Sequence, residues 1–330
     1  MAIGPTVGSP SRIEVQHIYF DITDIIQYAK RNDRVTGIQR VELNVISETV
    51  RDLGATGVRG LVRVEQGTSY RIVDLGFLAQ HGDFIARDFL ARTNSLSDGF
   101  WPDKLLMRKY LDRYRRNKLL RILKKVEIYI EALVARSRLA DKGLIHANKV
   151  QPRNHVEPPL PSRLHGGDVY VALGTGWDDP SSLRVAEQHR AQGGKVVQMI
   201  HDMIPVVRPD LHTPKVCGNF GHWITQATQC VSLFLCVSHH TKKDLLTFLE
   251  TRGCKTPIVV TPLAHEFSGY HRGQSVPLPD NASDAVEQRQ NHRFILCVGS
   301  LEGRKNILRL LQAWAQVRQD TGDTQTQLIS

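Results

Sequence analysis

Residues 195–237, KVVQMIHDMIPVVRPDLHTPKVCGNFGHWITQATQCVSLFLCV, decide the fold. Two short apolar runs, at 195–200 and 233–237, enclose a helical pattern at 214–230. A strand that is followed by a helix and a second apolar strand is typical of a βαβ unit, whose two strands lie parallel in one sheet. We therefore predict an α/β fold built on a parallel sheet.

The same alternation extends in both directions along the chain. The further apolar runs are HIYF at 17–20, VYVAL at 169–173, PIVVT at 257–261 and RFILCVG at 293–299, and the further predicted helices are 38–53, 180–192, 240–251 and 306–318. Repeated βα units predict a Rossmann-like domain over residues 13–267. Residues 1–12 contain Gly, Pro and Ser without an apolar run, and we expect them to be disordered.

A second domain is predicted after residue 292. Residues 268–292 are polar, contain two prolines and have almost no apolar periodicity, which is typical of an interdomain linker. Residues 293–330 then supply one strand, one helix and the strand-like TQLIS. Independent domains usually have roughly 100 residues or more, so we expect this second Rossmann-like domain to be incomplete.

Composition narrows the class of partner and the compartment. The 330 residues have a formal net charge of +10, which favours an anionic partner such as a nucleotide, a nucleic acid or an acidic membrane surface. The five cysteines form no C-x-x-C pair, and no segment has the roughly 18 uninterrupted apolar residues of a membrane span. These features favour a cytoplasmic protein, either free or attached to the inner face of a membrane.

Several function classes lack support in the sequence. There is no G-x-S-x-G motif of a hydrolase, and no nucleic-acid-binding module is recognisable, so we expect no nucleic-acid partner. His212, Cys217 and His222 are five residues apart, which on a helix turns successive side chains by about 140°. We therefore expect no metal ion.

A basic helical insertion is predicted over about 100–140. Residues 104–125 contain ten Lys or Arg and one Asp, together with leucines and tyrosines at helical spacing. One interpretation is a surface helix whose basic face is solvated. The other is a basic amphipathic helix that lies on anionic lipid, which would attach the protein peripherally to a membrane.

Ligands of parallel α/β sheets bind beyond the carboxyl ends of the strands, so the residues just after each apolar run are the candidates. At residues 36–40, TGIQR, Gly37 opens a helix whose amides could face an anion, and Arg40 adds a charge; a plain helix start is the alternative. At residues 174–178, GTGWD, the pattern begins like a dinucleotide fingerprint but lacks its third glycine. We regard it as a weak nucleotide site.

Two further candidates follow apolar runs. His201 and Asp202 come directly after residue 200, where an imidazole can bind a sugar hydroxyl or a phosphate or act as an acid or base; a structural histidine is the alternative. In ILCVGSLEGRKN, residues 295–306, Gly299 frees the backbone, and Arg304 and Lys305 precede a predicted helix. Two cations at a helix N-terminus are typical of a diphosphate site.

Taken together, five segments resemble family 4 glycosyltransferases of the GT-B fold, notably those that make bacterial surface polysaccharides. They are FDITDIIQYAKRNDRVTGIQRVELNVI, IHDMIPVVRPDLH, LCVSHHTKKDLLTFL, VVTPLAHEF and FILCVGSLEGRKNILRLLQAW. The last is the most specific, since the family typically reads V-G-[ST]-x-E-P-R-K-N there. Gly303 stands in place of the proline and leaves the two cations in register.

The resemblance implies a retaining transferase that uses a nucleotide-sugar donor, such as a mannose donor, and a saccharide or lipid-linked acceptor, without a cofactor or metal. It implies that His201 is the catalytic histidine and that Arg304, Lys305, Gly299 and Gly37 bind the donor phosphates. Arg40 and Asp202 are implied near the acceptor or behind the reacting groups.

One departure affects this interpretation. The family's second domain carries an E-x7-E glutamate pair, and this sequence ends before such a segment. We therefore expect the chain, as a truncated transferase, to bind donor poorly and to have little or no activity. The alternative is a non-catalytic binding or scaffold protein at a membrane surface, and a related sugar epimerase is a weaker one.

Overall fold

The computed structural model divides the chain into two compact units, Met1–Met203 with Asn219–Pro262 and Ile204–Gly218 with Leu263–Ser330. It describes residues 16–32, 35, 37–64, 69–80, 84–95, 107, 110–115, 117–134, 163–179, 181–264, 293–299 and 303–329. The predicted disordered segment 1–12 and the predicted linker 268–292 lie outside these residues. The predicted domain boundaries therefore stay predictions.

The first unit is built on a seven-stranded sheet in the order β3-β2-β1-β4-β5-β6-β7. Its strands are β1 Ile18–Asp21, β2 Val58–Arg63, β3 Tyr70–Asp74, β4 Val169–Ala172, β5 Lys195–Ile200, β6 Leu233–Cys236 and β7 Ile258–Val260. Each neighbouring pair is parallel except β2 with β3, which is antiparallel. The α/β fold with a mostly parallel, Rossmann-like sheet is confirmed.

Helices lie between these strands along the chain, although residues 204–218 belong to the second unit. They are α1 Thr23–Ala29, α2 Ile38–Leu53, α3 Ala86–Arg92, α4 Lys118–Val134, α5 Arg184–Ala191, α6 Ile204–Val207, α7 Pro214–Cys230 and α8 His239–Glu250. A predicted helix is found at 38–53, at 214–230 and, one residue earlier than expected, at 239–250. The expected 180–192 helix begins later, at Arg184, after a turn at 181–183.

The strand order reverses beside β1. Ile18 pairs with Val58 of β2 on one side and with Val169 of β4 on the other. The chain therefore builds the sheet outward from β1 in one direction and then, through β4, in the opposite direction. In open α/β sheets such a switch point leaves a crevice at the carboxyl ends of the two central strands.

The core lies on both faces of this sheet. The largest fully buried side chains are Tyr19, Tyr170, Phe234, Ile22, Ile25, Ile46, Leu61, Leu75, Ile128 and Leu173. Because strands of a parallel sheet are covered by helices on both faces, they are apolar at successive positions rather than at alternate ones. That is why the short apolar runs were recognisable in the sequence.

The second unit contains a parallel pair of strands, β8 Phe294–Leu296 and β9 Gln327–Ile329, joined by helix α9 Ile307–Thr321. The predicted strand and helix are both found. Asn306 precedes α9 with φ of 55°, a left-handed conformation that asparagine tolerates better than most residues. Every residue of β8 is exposed, in contrast to the strands of the first unit.

The basic stretch is divided by a turn rather than forming one helix. Arg115 N–H donates to Asp112 O, and the side chain of Asn117 then accepts the backbone N–H of Leu120 at 3.0 Å, so α4 begins only at Lys118. Asparagine is a favoured residue at such a start. Among the described residues, no helix is long and apolar enough to cross a membrane.

Candidate functional site

A small cleft lies at the carboxyl ends of β1, β4 and β5, at the switch point of the sheet. Its lining residues come from the strand ends and from the turns that follow them: Asp21, Asp24, Arg63, Tyr170, Ala172, Gly174, Thr175, Gly176, Ser182, Leu183, Gln198 and Trp223. All of them belong to the first unit. The described lining of the cleft therefore comes from the first unit.

The Asp21 carboxylate lies in the cleft wall and is almost fully buried. Arg63 Nε donates to its Oδ2 at 2.7 Å, Tyr170 donates its hydroxyl to the same oxygen at 2.6 Å, and Thr23 N–H donates to Oδ1 at 3.0 Å. Arg63 also pairs with Asp179. Burial by itself would lower the pKa of Arg63, but the adjacent Asp21, Tyr170 and Asp179 raise it, so Arg63 stays charged.

The two glycines of GTGWD are explained by packing rather than by phosphate binding. A Cβ on Gly174 would lie 2.1 Å from Asp24 Oδ2, and a Cβ on Gly176 would lie 2.6 Å from Nε1 of Trp223. Such distances are far inside van der Waals contact, so any larger residue at either position would have to displace these side chains. The partial resemblance to a dinucleotide fingerprint therefore arises from two close backbone approaches.

The cleft also contains polar hydrogens without a partner. Nε1 of Trp223 and Oγ of Ser182 are buried, and neither has a hydrogen-bond partner within the described part of the chain. Each residue is less than 10% exposed. Because a buried donor without an acceptor costs free energy, both atoms are suited to bind a polar ligand that enters the cleft.

His201 lies directly after β5 and is tied to the end of β4. Its Nε2 donates to the carbonyl oxygen of Leu173 at 2.7 Å, so this nitrogen carries the ring proton. Burial is the largest influence and lowers the pKa of His201, while the Leu173 carbonyl, Asp202 and Asp24 act in the opposite direction. The imidazole is therefore neutral at pH 7, with Nδ1 as its hydrogen-bond acceptor.

The other predicted residues of the first unit lie at element ends. Asp202 follows His201 and is exposed. Gly37 is the residue before α2 and has φ of 51°, a conformation that favours glycine, and Arg40 lies in the first turn of the same helix. Glu42, which sequence reasoning did not select, lies on this helix with its carboxyl beside Gly174.

Arg304 and Lys305 lie in the second unit, in a single 3₁₀ turn, Gly303–Lys305, that directly precedes α9. Gly299 lies just after β8 and is exposed. The sequence prediction that two cations precede a helix is confirmed. Their role in phosphate binding stays a prediction, as do the roles of the other candidate residues. Among the residues that the structure describes, no cluster of three or more His, Cys, Asp or Glu side chains could hold a metal.

Sequence reasoning missed most residues that line the cleft. Asp21 and Asp24 lie at the end of the first apolar run, in the position where ligand-binding residues are expected, so they could have been selected. Arg63 and Trp223 had no such signal. They come from β2, which was not predicted, and from the middle of α7.

Comparison with known proteins gives one distant relationship. The chain is 23% identical over 148 residues to two curated proteins from Escherichia coli, both named serotype-specific mannosyltransferase WbdA. The matched segment covers 44% of this chain and 18% of each relative, so the chain corresponds to a small part of their length. No protein-family profile and no solved structure matches the chain. The similarity supports a relationship to glycosyltransferases.

Proposed function

We propose that the protein is a glycosyltransferase of polysaccharide synthesis. In this proposal it moves a sugar from a nucleotide-sugar to a saccharide or lipid-linked acceptor and retains the anomeric configuration. The observation that carries the proposal is the similarity to the two mannosyltransferases, which makes mannose the first sugar to test. The Rossmann-like sheet with a cleft at its switch point is compatible with this function.

The cleft of the first unit is proposed to bind the acceptor sugar. Asp21 and Asp24 are acidic, and the cation Arg63 is already paired with Asp21 and Asp179. Such a surface repels phosphate, whereas its carboxylates can accept hydrogen bonds from sugar hydroxyls. The indole N–H of Trp223 supplies a donor for a sugar oxygen, and its ring an apolar surface.

The donor diphosphate is proposed to bind Arg304 and Lys305 of the second unit, with the backbone of Gly299 close to the phosphates. Gly37, before α2 of the first unit, is proposed as a further phosphate-binding glycine. The leaving diphosphate gains negative charge as the glycosidic bond breaks, so fixed cations stabilise the transition state more than the ground state. These cations would perform the role that a metal has in other transferases. We therefore propose that neither a metal nor a cofactor is required.

His201 is proposed to be the catalytic residue of the first unit. Nε2 donates its proton to the Leu173 carbonyl oxygen. Nδ1 of the neutral ring is therefore the atom that can accept a hydrogen bond from a hydroxyl of the transferred sugar. Asp202 and Arg40 are proposed to support the acceptor or the groups around it.

A transfer assay tests the proposal. We would incubate the full chain with a panel of nucleotide-sugars that includes GDP-mannose, using mannose oligosaccharides as acceptors, and analyse products by mass spectrometry and NMR. Arg304→Ala, Lys305→Ala and His201→Ala should each reduce transfer by about 100-fold or more. Arg309→Ala, which removes an exposed cation on α9, is the matched control and should have little effect.

Because the sequence predicts little transfer by this chain, nucleotide-sugar binding is measured beside it by calorimetry, and absence of both transfer and binding with every donor would contradict the proposed function. In that case saccharide binding without transfer would favour the alternative, a non-catalytic binding or scaffold protein. An equal loss in Arg309→Ala and Arg304→Ala would instead contradict the specific role of the 303–305 turn.

A membrane surface is proposed as the site where the protein works, at the cytoplasmic face. Helix α4 carries exposed apolar side chains at helical spacing, namely Leu119, Ile122, Leu123, Val126 and Ile130. Lys118, Arg121 and Lys125 lie on the same helix. A helix of this kind binds anionic lipid with its apolar face in the interface, each cation contributing about 1 kcal/mol.

Sedimentation with phosphatidylserine vesicles tests whether α4 binds anionic lipid. Replacing Lys118, Arg121 and Lys125 with Gln should weaken binding at low salt, and the loss should shrink as salt screens the charges. A matched control replaces Lys242, Lys243 and Lys255, which lie outside α4. Equal weakening by both sets, or no vesicle binding by the wild type, would contradict the membrane proposal.

A further inference from the structure

Two carboxyl groups, those of Asp24 and Glu42, converge beside the backbone of Gly174. A Cβ placed on Gly174 would lie 2.1 Å from Asp24 Oδ2 and 2.5 Å from Glu42 Oε1. Asp24 follows β1, whereas Glu42 lies on α2 and is fully buried. The proposed acceptor site uses the Asp24 carboxyl group but gives no role to Glu42, so the close approach of the two groups to this glycine needs a separate explanation.

The pair cannot be stable as two carboxylates. An ionised carboxylate only accepts hydrogen bonds, and neither oxygen of Glu42 has a donor among the groups that the structure describes. The charged groups that act on Glu42 are Asp24 and Asp21, and both are acidic. Two adjacent anions that are largely removed from water repel each other strongly.

A proton held between the two groups removes this conflict. A carboxylic acid then donates to the neighbouring carboxylate, which is among the strongest hydrogen bonds in proteins. Burial, followed by the charge of Asp24, raises the pKa of Glu42 well above its ordinary value, and burial also raises the pKa of Asp24. Both shifts favour retention of a proton at neutral pH.

The same carboxyl group holds the chain that follows β4. Thr175 N–H donates to Asp24 Oδ2 at 3.3 Å, and Ile25 N–H donates to Oδ1 at 2.8 Å. On the other side of Gly174, the Leu173 carbonyl accepts the proton of His201 Nε2 at 2.7 Å. Residues 173–175 are thus attached at both ends, and Gly174 and Thr175 form part of the cleft wall.

We propose that Asp24 and Glu42 share one proton and act as positioning residues for the cleft wall at 173–175. Loss of the shared proton leaves two anions against the Gly174 backbone, displaces that backbone and weakens the Thr175 hydrogen bond. The consequence for acceptor binding rests on the proposed function. The sharing of the proton does not.

The charges around the pair are consistent with a single shared proton. Asp21 acts on both carboxyl groups and favours protonation of each. Arg63 forms ion pairs with Asp21 and Asp179, and these two carboxylates largely neutralise its charge. His201 interacts with Asp24 electrostatically, but its own pKa is lowered by burial, and the neutral ring adds no charge.

The Thr175 amide gives a direct test that needs no enzyme activity. Its proton shift should follow the charge of Asp24 when the full chain is titrated by NMR from about pH 4 to about pH 9. Ordinary carboxyl groups have a pKa of about 4, and we expect the transition at a pH above that range. Glu42→Gln, whose amide donates permanently to Asp24, should abolish this transition, whereas Glu48→Gln on the exposed side of α2 should leave it unchanged.

Two results would overturn the proposal: no Thr175 transition above the ordinary carboxyl range, or a transition there that persists unchanged in Glu42→Gln. If Glu42→Gln does not fold, ¹³C-carboxyl labelling of the wild type measures the two protonation steps without a variant. A pair that shares a proton should titrate in two widely separated steps, and two steps that coincide near the ordinary range would contradict sharing.

The consequence for the cleft is tested by the pH profile of saccharide binding. Wild-type affinity for a mannose oligosaccharide should fall as the shared proton is lost, and Glu42→Gln should remove that fall while keeping affinity at neutral pH. A fall that is equal in both proteins would contradict the positioning role. Absence of binding at every pH would contradict the proposed function instead, while the Thr175 titration would still decide the proton sharing.

Discussion

Strands β6 and β8 are short apolar runs of similar composition, LFLC and FIL, and each is followed by a helix. Strand β6 lies between β5 and β7, and the Phe234 side chain on it has no exposed surface. Strand β8 pairs with β9 in a two-stranded sheet, and Phe294 is 47% exposed. The local pattern therefore determines that a strand forms, whereas its neighbours determine whether the strand is buried.

This difference has an energetic consequence. Burial of apolar surface is the main favourable term in folding, at about 25 cal/mol per Å². The first unit obtains this term from both faces of its sheet, while the exposed side chains of β8 and α9, among them Leu296 and Leu308, obtain little of it. We expect the two units to differ in stability, and the following substitutions measure the difference.

The largest expected effect is the contrast between Phe234→Ala and Phe294→Ala. Removing the buried ring should destabilise the first unit by about 3–5 kcal/mol, because the lost contacts leave a cavity. Removing the half-exposed ring should cost less than about 1 kcal/mol. Urea unfolding followed by near-ultraviolet circular dichroism measures both, and equal losses would show that β8 is as well covered as β6.

A smaller contrast distinguishes two glycines within the first unit. Gly174→Ala should destabilise it by about 1–3 kcal/mol, because the new methyl group overlaps the carboxyl groups of Asp24 and Glu42. Gly221→Ala on α7 meets nothing within 4 Å and should instead be neutral or stabilise by up to about 1 kcal/mol. Thermal unfolding of the two variants tests this, and a neutral Gly174→Ala would contradict the close approach.

The smallest expected effect is a slope of stability with pH. The raised pKa values of Asp24 and Glu42 mean that the folded protein holds a proton which the unfolded chain releases. The contribution of this proton to the free energy of unfolding is therefore complete below the ordinary carboxyl range and is lost as pH rises through the raised pKa values. The loss is at most about 1.4 kcal/mol per pH unit for one proton.

Glu42→Gln should flatten this slope, which unfolding free energies measured across the pH range would show. Glu48→Gln is again the control, and its slope should match that of the wild type. The prediction would be wrong in sign if the free energy of unfolding of the wild type rose with pH above the ordinary carboxyl range and if Glu42→Gln removed that rise.

Elements with a strong local signal were predictable. The helix at 38–53 and the strand at 195–200 have the bounds that the sequence indicated, because each has a clear apolar period and a recognisable start. Strand β3 and helix α1 were missed: Tyr70–Asp74 is an antiparallel edge strand with only one buried residue, and Thr23–Ala29 is a single short helix. Such elements have too few apolar positions for periodicity to show.

The candidate site was predictable in part. His201 and Asp202 were found because they directly follow a strand, a property of the sequence alone. The pairing of Arg63 with Asp21 joins residues 42 apart, and that of Tyr170 with Asp21 joins residues 149 apart. Such pairs exist only because β2 and β4 lie on either side of β1, and strand order has no local signature.

The sequence by itself determined the class of fold, the positions of most strands and helices, and a cationic turn before α9, since each depends on the properties of neighbouring residues. The tertiary structure alone decided which strands are adjacent, and thereby the cleft, the reason for the glycine at 174 and the buried carboxyl pair beside it. The physical reason is that burial and pKa depend on groups that the fold brings together from distant parts of the chain.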